Sequence, residues 1–149
     1  MKRTNNTFSF DKAEDSTGFL LWQVTNLWQR EIKKALVKYN LTHSQFVLMA
    51  STHWLTLNKE EVTQVTLSRN TKIDPMTTST VLGTLQQKGF VKREGHLNDT
   101  RAKKVMLTTD GIKLIKKAVI TVEEFDRQFF SSIGDKIEDF NGKLRALLK

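Results

Sequence analysis

The segment REGHLNDTRAKKVMLT, residues 93–108, gathers side chains suited to gripping a polyanion. Arg101 stands two residues after Asp99, on a stretch made polar by Gly95 and Asn98. A carboxylate at that spacing can hold a guanidinium fork in one orientation, and a fixed fork suits a narrow groove of strong negative potential. The competing reading is a surface ion pair worth little. From Lys88 to Lys104, the basic residues Lys88, Lys92, Arg93, Arg101, Lys103 and Lys104 face only Glu94 and Asp99, a balance of +4 over seventeen residues. Residues 121–140 carry −4, so charge is polarised along the chain instead of mixed, as a merely solvated run tends to be. The whole chain has a net charge of +8 and a pI near 9.8. That balance favours nucleic acid as a partner, with an anionic membrane surface second.

Other chemistries are poorly served. His43, His53 and His96 lack metal-ligand spacing, and no HExxH, GxSxG or phosphate-binding glycine loop is present. Glu60–Glu61 and Glu123–Glu124 are sequence neighbours, not facing carboxylates. With no cysteine there are no disulfides, thiolate metal sites or thiol redox sensors. No enzymatic activity, cofactor or metal is expected. The first fifteen residues include Asp11, Glu14 and Asp15, which does not suit a signal peptide, and Phe19–Trp22 is far too short to span a membrane. A cytoplasmic protein that does not enter membranes is the economical expectation.

The second candidate tool is the helix expected over residues 74–88. Asp74 has N-cap chemistry and Pro75, the only proline, suits the first helical position, while Gly89 supplies the stop. Thr78, Val81, Leu82 and Leu85 share a face that should pack inward. Met76, Thr77, Thr80, Gly83, Thr84 and Gln87 make an opposite face that is small, polar and neutral, unlike a usual solvent face of Lys and Glu. Such a face suits base edges: threonine methyls complement thymine methyls, Gln87 can pair with adenine, and no arginine is offered to guanine, which leans towards A·T. Gly83 costs about 1 kcal/mol relative to alanine within a helix. Either something approaches its backbone closely, or the position is simply tolerant.

These tools need elements to hold them. The 149 residues suit one domain, with residues 1–15 as an arm that Phe8 and Phe10 could anchor. Helical spacing marks residues 16–39. A capping box at Thr42–Gln45 opens a second helix, and Thr63 caps a short third one. After the 74–88 helix, residues 90–94 and 103–107 read as paired strands around a loop at 95–102. Thr108 caps a long helix carrying Ile112, Ile115, Val119, Val122, Phe125 and Phe129, and a final helix spaces Ile137, Phe140, Leu144 and Leu147 along one seam. The order predicts a mainly α fold in which a helix–turn–helix and β-hairpin, residues 42–108, lie between long flanking helices. The flanking helices carry more apolar surface than such a unit needs. Phe125, Phe129, Ile137, Phe140, Leu144 and Leu147 are the candidate interface with a second copy; the alternative is that they bury one another within the chain.

The run IDPMTTSTVLGTLQQKGFVKREGHLNDTRAKKVMLTTDG, with LTHSQFVLMA upstream, resembles the MarR family of winged helix–turn–helix transcriptional regulators. The likeness spans residues 17–148, and its most specific parts are Leu85, Lys88–Gly89–Phe90–Val91, Arg93, Asp99–Thr100–Arg101–Ala102, Leu107–Thr108 and Gly111. It implies a homodimer built from residues 16–39 and 109–149 that binds a pseudo-palindromic double-stranded DNA operator, usually as a repressor. Residues 74–88 would be the recognition helix and 90–107 the wing. Arg101 would enter the minor groove, with Asp99 orienting it. Candidate DNA contacts are Lys72, Met76, Thr77, Thr78, Thr80, Thr84, Gln87, Arg93, Asp99, Arg101, Lys103 and Lys104, although Thr78 also falls on the inward face. The resemblance further implies release by a small aromatic or phenolic effector in a cavity between the dimerisation helices and the DNA-binding unit. Phe19, Trp22, Trp28, His43, His53 and Trp54 are candidate linings, though aromatics at helical spacing are more often core. The turn RNTKI lacks the glycine often found there, and the missing cysteine excludes the peroxide-sensing branch. Two other readings remain: a sequence-tolerant nucleic-acid-binding protein, and a winged helix that binds a protein partner.

Overall fold

The computed structural model describes residues 7–95 and 103–149. Six α-helices and two strands follow in the order α1 (Thr17–Leu36), α2 (His43–Leu57), α3 (Gln64–Thr71), α4 (Pro75–Gln87), β1 (Val91–Glu94), β2 (Lys104–Leu107), α5 (Thr109–Phe129) and α6 (Ile137–Leu147). Short 3-10 segments at Ala13–Asp15, Val37–Tyr39 and Ser131–Lys136 join them. The fold is mainly α with one antiparallel hairpin, as the order of elements predicts.

Boundaries follow local chemistry. Thr42 accepts the Gln45 amide at 3.1 Å and the Gln45 side chain accepts the Thr42 amide at 3.0 Å, a complete capping box. Thr63 and Thr66 make an equivalent reciprocal pair at the start of α3. Asp74 caps α4 and Thr108 caps α5 through the Gly111 amide at 3.0 Å. Gly89, with φ 82°, takes the left-handed turn that ends the segment after α4. The expected first helix is shorter than read: it ends at Leu36, and residues 37–39 tighten into a 3-10 turn before left-handed Asn40. Each wing strand begins one residue later than expected.

One core serves α1 to α5 and the hairpin, while α6 contributes no buried residue. Ile32 and Leu36 of α1, Leu48 and Met49 of α2, Leu67 of α3, Leu82 and Leu85 of α4, Val91 and Val105 of the hairpin, and Ile115 and Ala118 of α5 are all at most 2% exposed. In β1 the alternation is strict: Val91 is buried, Lys92 and Glu94 are exposed, and Arg93 lies half-buried on the Val91 side. The Val105 amide also donates to the Val62 carbonyl at 2.9 Å, and Thr63 bridges Lys104, so the chain before α3 clamps the hairpin from its other edge.

Candidate nucleic-acid interface

The turn between α3 and α4 is built without glycine. Lys72 takes a left-handed conformation (φ 63°, ψ 15°). Hydroxyls brace it: Ser68 donates to the Ile73 carbonyl at 2.7 Å, Thr71 accepts the Ile73 amide at 3.2 Å, and Thr78 donates to the same Ile73 carbonyl at 3.3 Å. Asp74 then accepts both the amide and the hydroxyl of Thr77, at 2.9 and 2.7 Å. Those hydrogen bonds hold its carboxyl below the usual range, so it stays ionised against the helix N-terminus.

The outward face of α4 is exposed as its neutrality suggests. Met76 is 80% exposed, Thr77, Thr80 and Gln87 are exposed, and Thr84 is half-buried. Thr80 and Thr84 donate their hydroxyl hydrogens back to the Met76 and Thr80 carbonyls, at 3.0 and 3.3 Å. That leaves methyl groups and oxygen lone pairs as what they can offer a partner. Thr78 is a correction to the candidate contacts: it is fully buried with its hydroxyl tied to the turn, so it braces α4 from within. Lys72 and Lys104 are exposed, and Lys103 is half-buried at the foot of β2. Asp99 and Arg101 lie outside the described residues.

Arg93 is also turned into the fold. Its Nε donates to Gln86 Oε1 at 2.8 Å, and its Nη1 donates to Gln64 Oε1 at 2.8 Å and to the Ser79 carbonyl at 3.4 Å. The inward register it shares with Val91 was the sequence signal for this. The far end of α4 is pinned too. Lys88 Nζ donates to the Asn40 carbonyl at 2.9 Å and to Gln45 Oε1 at 3.3 Å, and Thr108 donates to the Gly89 carbonyl at 2.6 Å. Helix α4 is therefore fixed at its start, middle and end.

The aromatic candidates for an effector cavity do not all come together in the single chain. Phe19 lines a cleft of about 380 Å³ with Phe8 and Phe10 of the arm. His43 lines a different cleft, about 520 Å³, with Lys33, Asn40 and Lys88. Trp22 and Trp54 are 68% and 66% exposed, and His53 is half-buried. A cluster that sequence spacing did not show joins α1, α2 and α5. Trp28 packs edge-on against His43 with ring centroids 4.9 Å apart, and its indole N–H donates to Asp126 Oδ1 at 2.9 Å. Burial pushes the His43 pKa down, with Asp126 opposing in part, and burial pushes the Asp126 carboxyl up. Among the described residues, no group of His, Asp and Glu could hold a metal ion, and no helix is long and apolar enough to cross a membrane.

At the far end, Phe125, Phe129, Phe130 and Phe140 contact one another in series at centroid distances of 5.0–6.3 Å, and all four are half-buried. Ile137 is half-buried, whereas Leu144 and Leu147 of the last helix, its C-cap Leu148, and Phe19, Leu20, Leu21, Trp22, Val24 and Leu27 of α1 remain exposed.

Comparison with known proteins places this arrangement. A family model described as "ArnR1-like, winged-helix domain" matches residues 37–124, more than half of the chain. The chain is 39% identical over 140 residues to YdcH of Bacillus subtilis (strain 168), an uncharacterized HTH-type transcriptional regulator, covering 94% of this chain and 95% of that protein. Its fold matches CouR from Rhodococcus jostii RHA1 bound to p-coumaroyl-CoA, with a TM-score of 0.81 at 22% identity over 93% of this chain and 96% of CouR. It also matches MepR of S. aureus in a DNA complex, with a TM-score of 0.77 at 21% identity over 92% of this chain and 97% of MepR. Family and fold are those of regulators, not of enzymes. With an ArnR1-like winged-helix match over its centre and an HTH-type transcriptional regulator as a relative along nearly all its length, the chain belongs to the ArnR1-like winged-helix family of HTH-type transcriptional regulators, and its fold is that of a MarR-family regulator from Rhodococcus sp. RHA1 (TM-score 0.81).

Proposed function

We propose that the protein acts as a homodimeric repressor on a pseudo-palindromic duplex operator. The observation that carries this reading is the outward face of α4, an exposed, uncharged stripe of Met76, Thr77, Thr80 and Gln87 on a helix pinned at three points, with exposed Lys72 in the turn before it and exposed Lys104 on β2. A rigid, neutral face flanked by cations suits a helix that meets base edges while lysines meet phosphates. Lys72, Lys103, Lys104 and the wing pair Asp99 and Arg101 complete the proposed contact set with Thr84. The likeness to MepR in its DNA complex supports this use of the fold.

The exposed apolar side chains of α1 and α6 support a second copy as the partner that covers them, and the half-buried Phe125, Phe129, Ile137 and Phe140 are included in the proposed interface. Release by a small aromatic effector is the regulatory part of the proposal, supported by the likeness to CouR with p-coumaroyl-CoA bound. His43 and the Trp28–Asp126 contact lie between α1, α2 and α5, where a ligand could shift the dimerisation helices against the reading unit. The test is Arg101→Ala. With the dimer and helix content intact, affinity for a selected duplex should drop about tenfold or more, the size of one good groove contact. Unchanged affinity would remove the wing from the proposal.

A further inference from the structure

Gly83 and Arg93 answer one another across the gap between α4 and β1. A Cβ on Gly83 would sit 3.4 Å from Arg93 Nη2, so the guanidinium lies beside α4 with room for no more than a methyl group between them. Its acceptors come from two different helices. Gln64, the first residue of α3 and only 4% exposed, receives Nη1; Gln86 of α4 receives Nε; and the Ser79 carbonyl of α4 lies within reach of Nη1. One planar group thus links both helices of the helix–turn–helix to the first wing strand, at the position paired with Val105 of the second strand. A guanidinium can do this because its donors diverge in a fixed plane, which a single ammonium cannot imitate.

We infer that Arg93 is a positioning residue that sets the angle of the wing relative to the recognition helix, with Gln64 as its buried anchor. This rests on the regulator reading above. The wing strand has four residues and, among the described residues, its sheet holds two strands with one isolated bridge from Thr63 to Lys104 on the far edge, so its own ladder fixes its direction weakly. The Arg93 fork supplies a lateral tie. In this role Arg93 determines which minor-groove position the wing reaches, at a fixed distance from the major-groove bases met by α4, without itself touching DNA.

The experiment is hydroxyl-radical footprinting on a duplex selected from a random pool, with the unaltered protein and the variants Arg93→Lys, Arg93→Met and Gln64→Met. Thermal melting and far-UV dichroism confirm that each is folded. Positioning predicts that Lys and Met at 93 fail alike. The outer protections made by the wing fade or shift, while the inner protections made by α4 persist. Gln64→Met should do the same although that side chain is buried away from any DNA, and it keeps the inference testable should the Arg93 variants fold poorly. A direct phosphate contact predicts the opposite split: Arg93→Lys keeps the footprint, Arg93→Met lowers the salt slope by about one, and Gln64→Met is silent. That result overturns the inference. Unshifted wing protection in all three variants overturns it as well, while leaving the regulator reading in place. If the unaltered protein footprints no selected duplex, the regulator reading falls and takes the inference with it.

Discussion

Two glycines inside helices should respond to alanine in opposite directions, and the difference follows from what surrounds them. Gly111 lies in the first turn of α5, where a Cβ would stand 2.2 Å from the Phe90 carbonyl oxygen, 3.1 Å from its carbon and 3.3 Å from Phe90 Cα. Real Cβ contacts essentially never fall below 3.0 Å, so Phe90 and α5 must part by at least about 0.8 Å, the difference between those distances. The obstacle is backbone and cannot rotate away. That same Phe90 carbonyl accepts the Thr108 amide at 3.0 Å, so the strain falls on the junction of β1, β2 and α5. Overpacking of this kind costs about 1–3 kcal/mol, and alanine recovers up to about 1 kcal/mol of helix propensity. Gly111→Ala should therefore lose about 1–2 kcal/mol in urea unfolding, or roughly 2–8 °C in thermal melting. It should also weaken DNA binding, because the wing base moves against α4. Gly83→Ala meets only the Arg93 guanidinium at 3.4 Å, an ordinary contact, and should gain up to about 1 kcal/mol. A Gly111→Ala protein as stable as its parent would refute the close approach and the packing argument built on it.

Other perturbations follow the same logic. Thr108→Ala removes the α5 cap and the hydroxyl that donates to the Gly89 carbonyl; it should cost about 1–2 kcal/mol in urea unfolding, and a loss below about 0.3 kcal/mol would contradict the cap. Burial holds the His43 pKa below its ordinary 6.5, so folding excludes a proton. Its contribution is present above that value and is lost as pH falls through the lowered folded pKa. Asp126 works in the other sense: its raised pKa favours the protonated carboxyl, and that contribution fades as pH rises through it. The melting temperature of the parent should thus fall more between about pH 7 and pH 5 than that of His43→Gln; identical pH profiles would contradict the shift.

Local chemistry was legible in the sequence because caps are written within four residues. Thr42 with Gln45, Thr63, Asp74 before Pro75, Thr108 and the Gly89 stop each predict a boundary that the structure contains. The hairpin was legible from two short runs flanking a polar loop. Contacts between distant segments were not. Trp28 and Asp126 are 98 residues apart, and no periodicity in either helix announces that an indole will meet that carboxyl. Gly111 looks like any first-turn glycine until Phe90 is seen against it. Thr78 carries both signals, a hydroxyl suited to a base edge and a place on the inward face, and the structure buries it completely. Arg93 likewise carries two. Charge suggested phosphate, whereas strand alternation with Val91 pointed inward, and alternation prevailed because Gln64, Gln86 and the Ser79 carbonyl satisfy its donors. The glycine absent from the α3–α4 turn proved dispensable, since hydroxyls from Ser68, Thr71 and Thr78 brace Ile73 while Lys72 takes the left-handed conformation.

The most direct measurement is an equilibrium competition. A labelled duplex selected from a random pool is bound by the purified protein and challenged with unlabelled bulk DNA over a range of salt concentrations. A sequence-specific dimer should hold the selected duplex against a roughly thousandfold excess of bulk DNA, protect two half-sites about one helical turn apart, and lose affinity steeply and linearly on a log–log plot against salt. Displacement of the selected duplex in simple proportion to the bulk DNA added would contradict sequence-specific regulation and favour a sequence-tolerant binder.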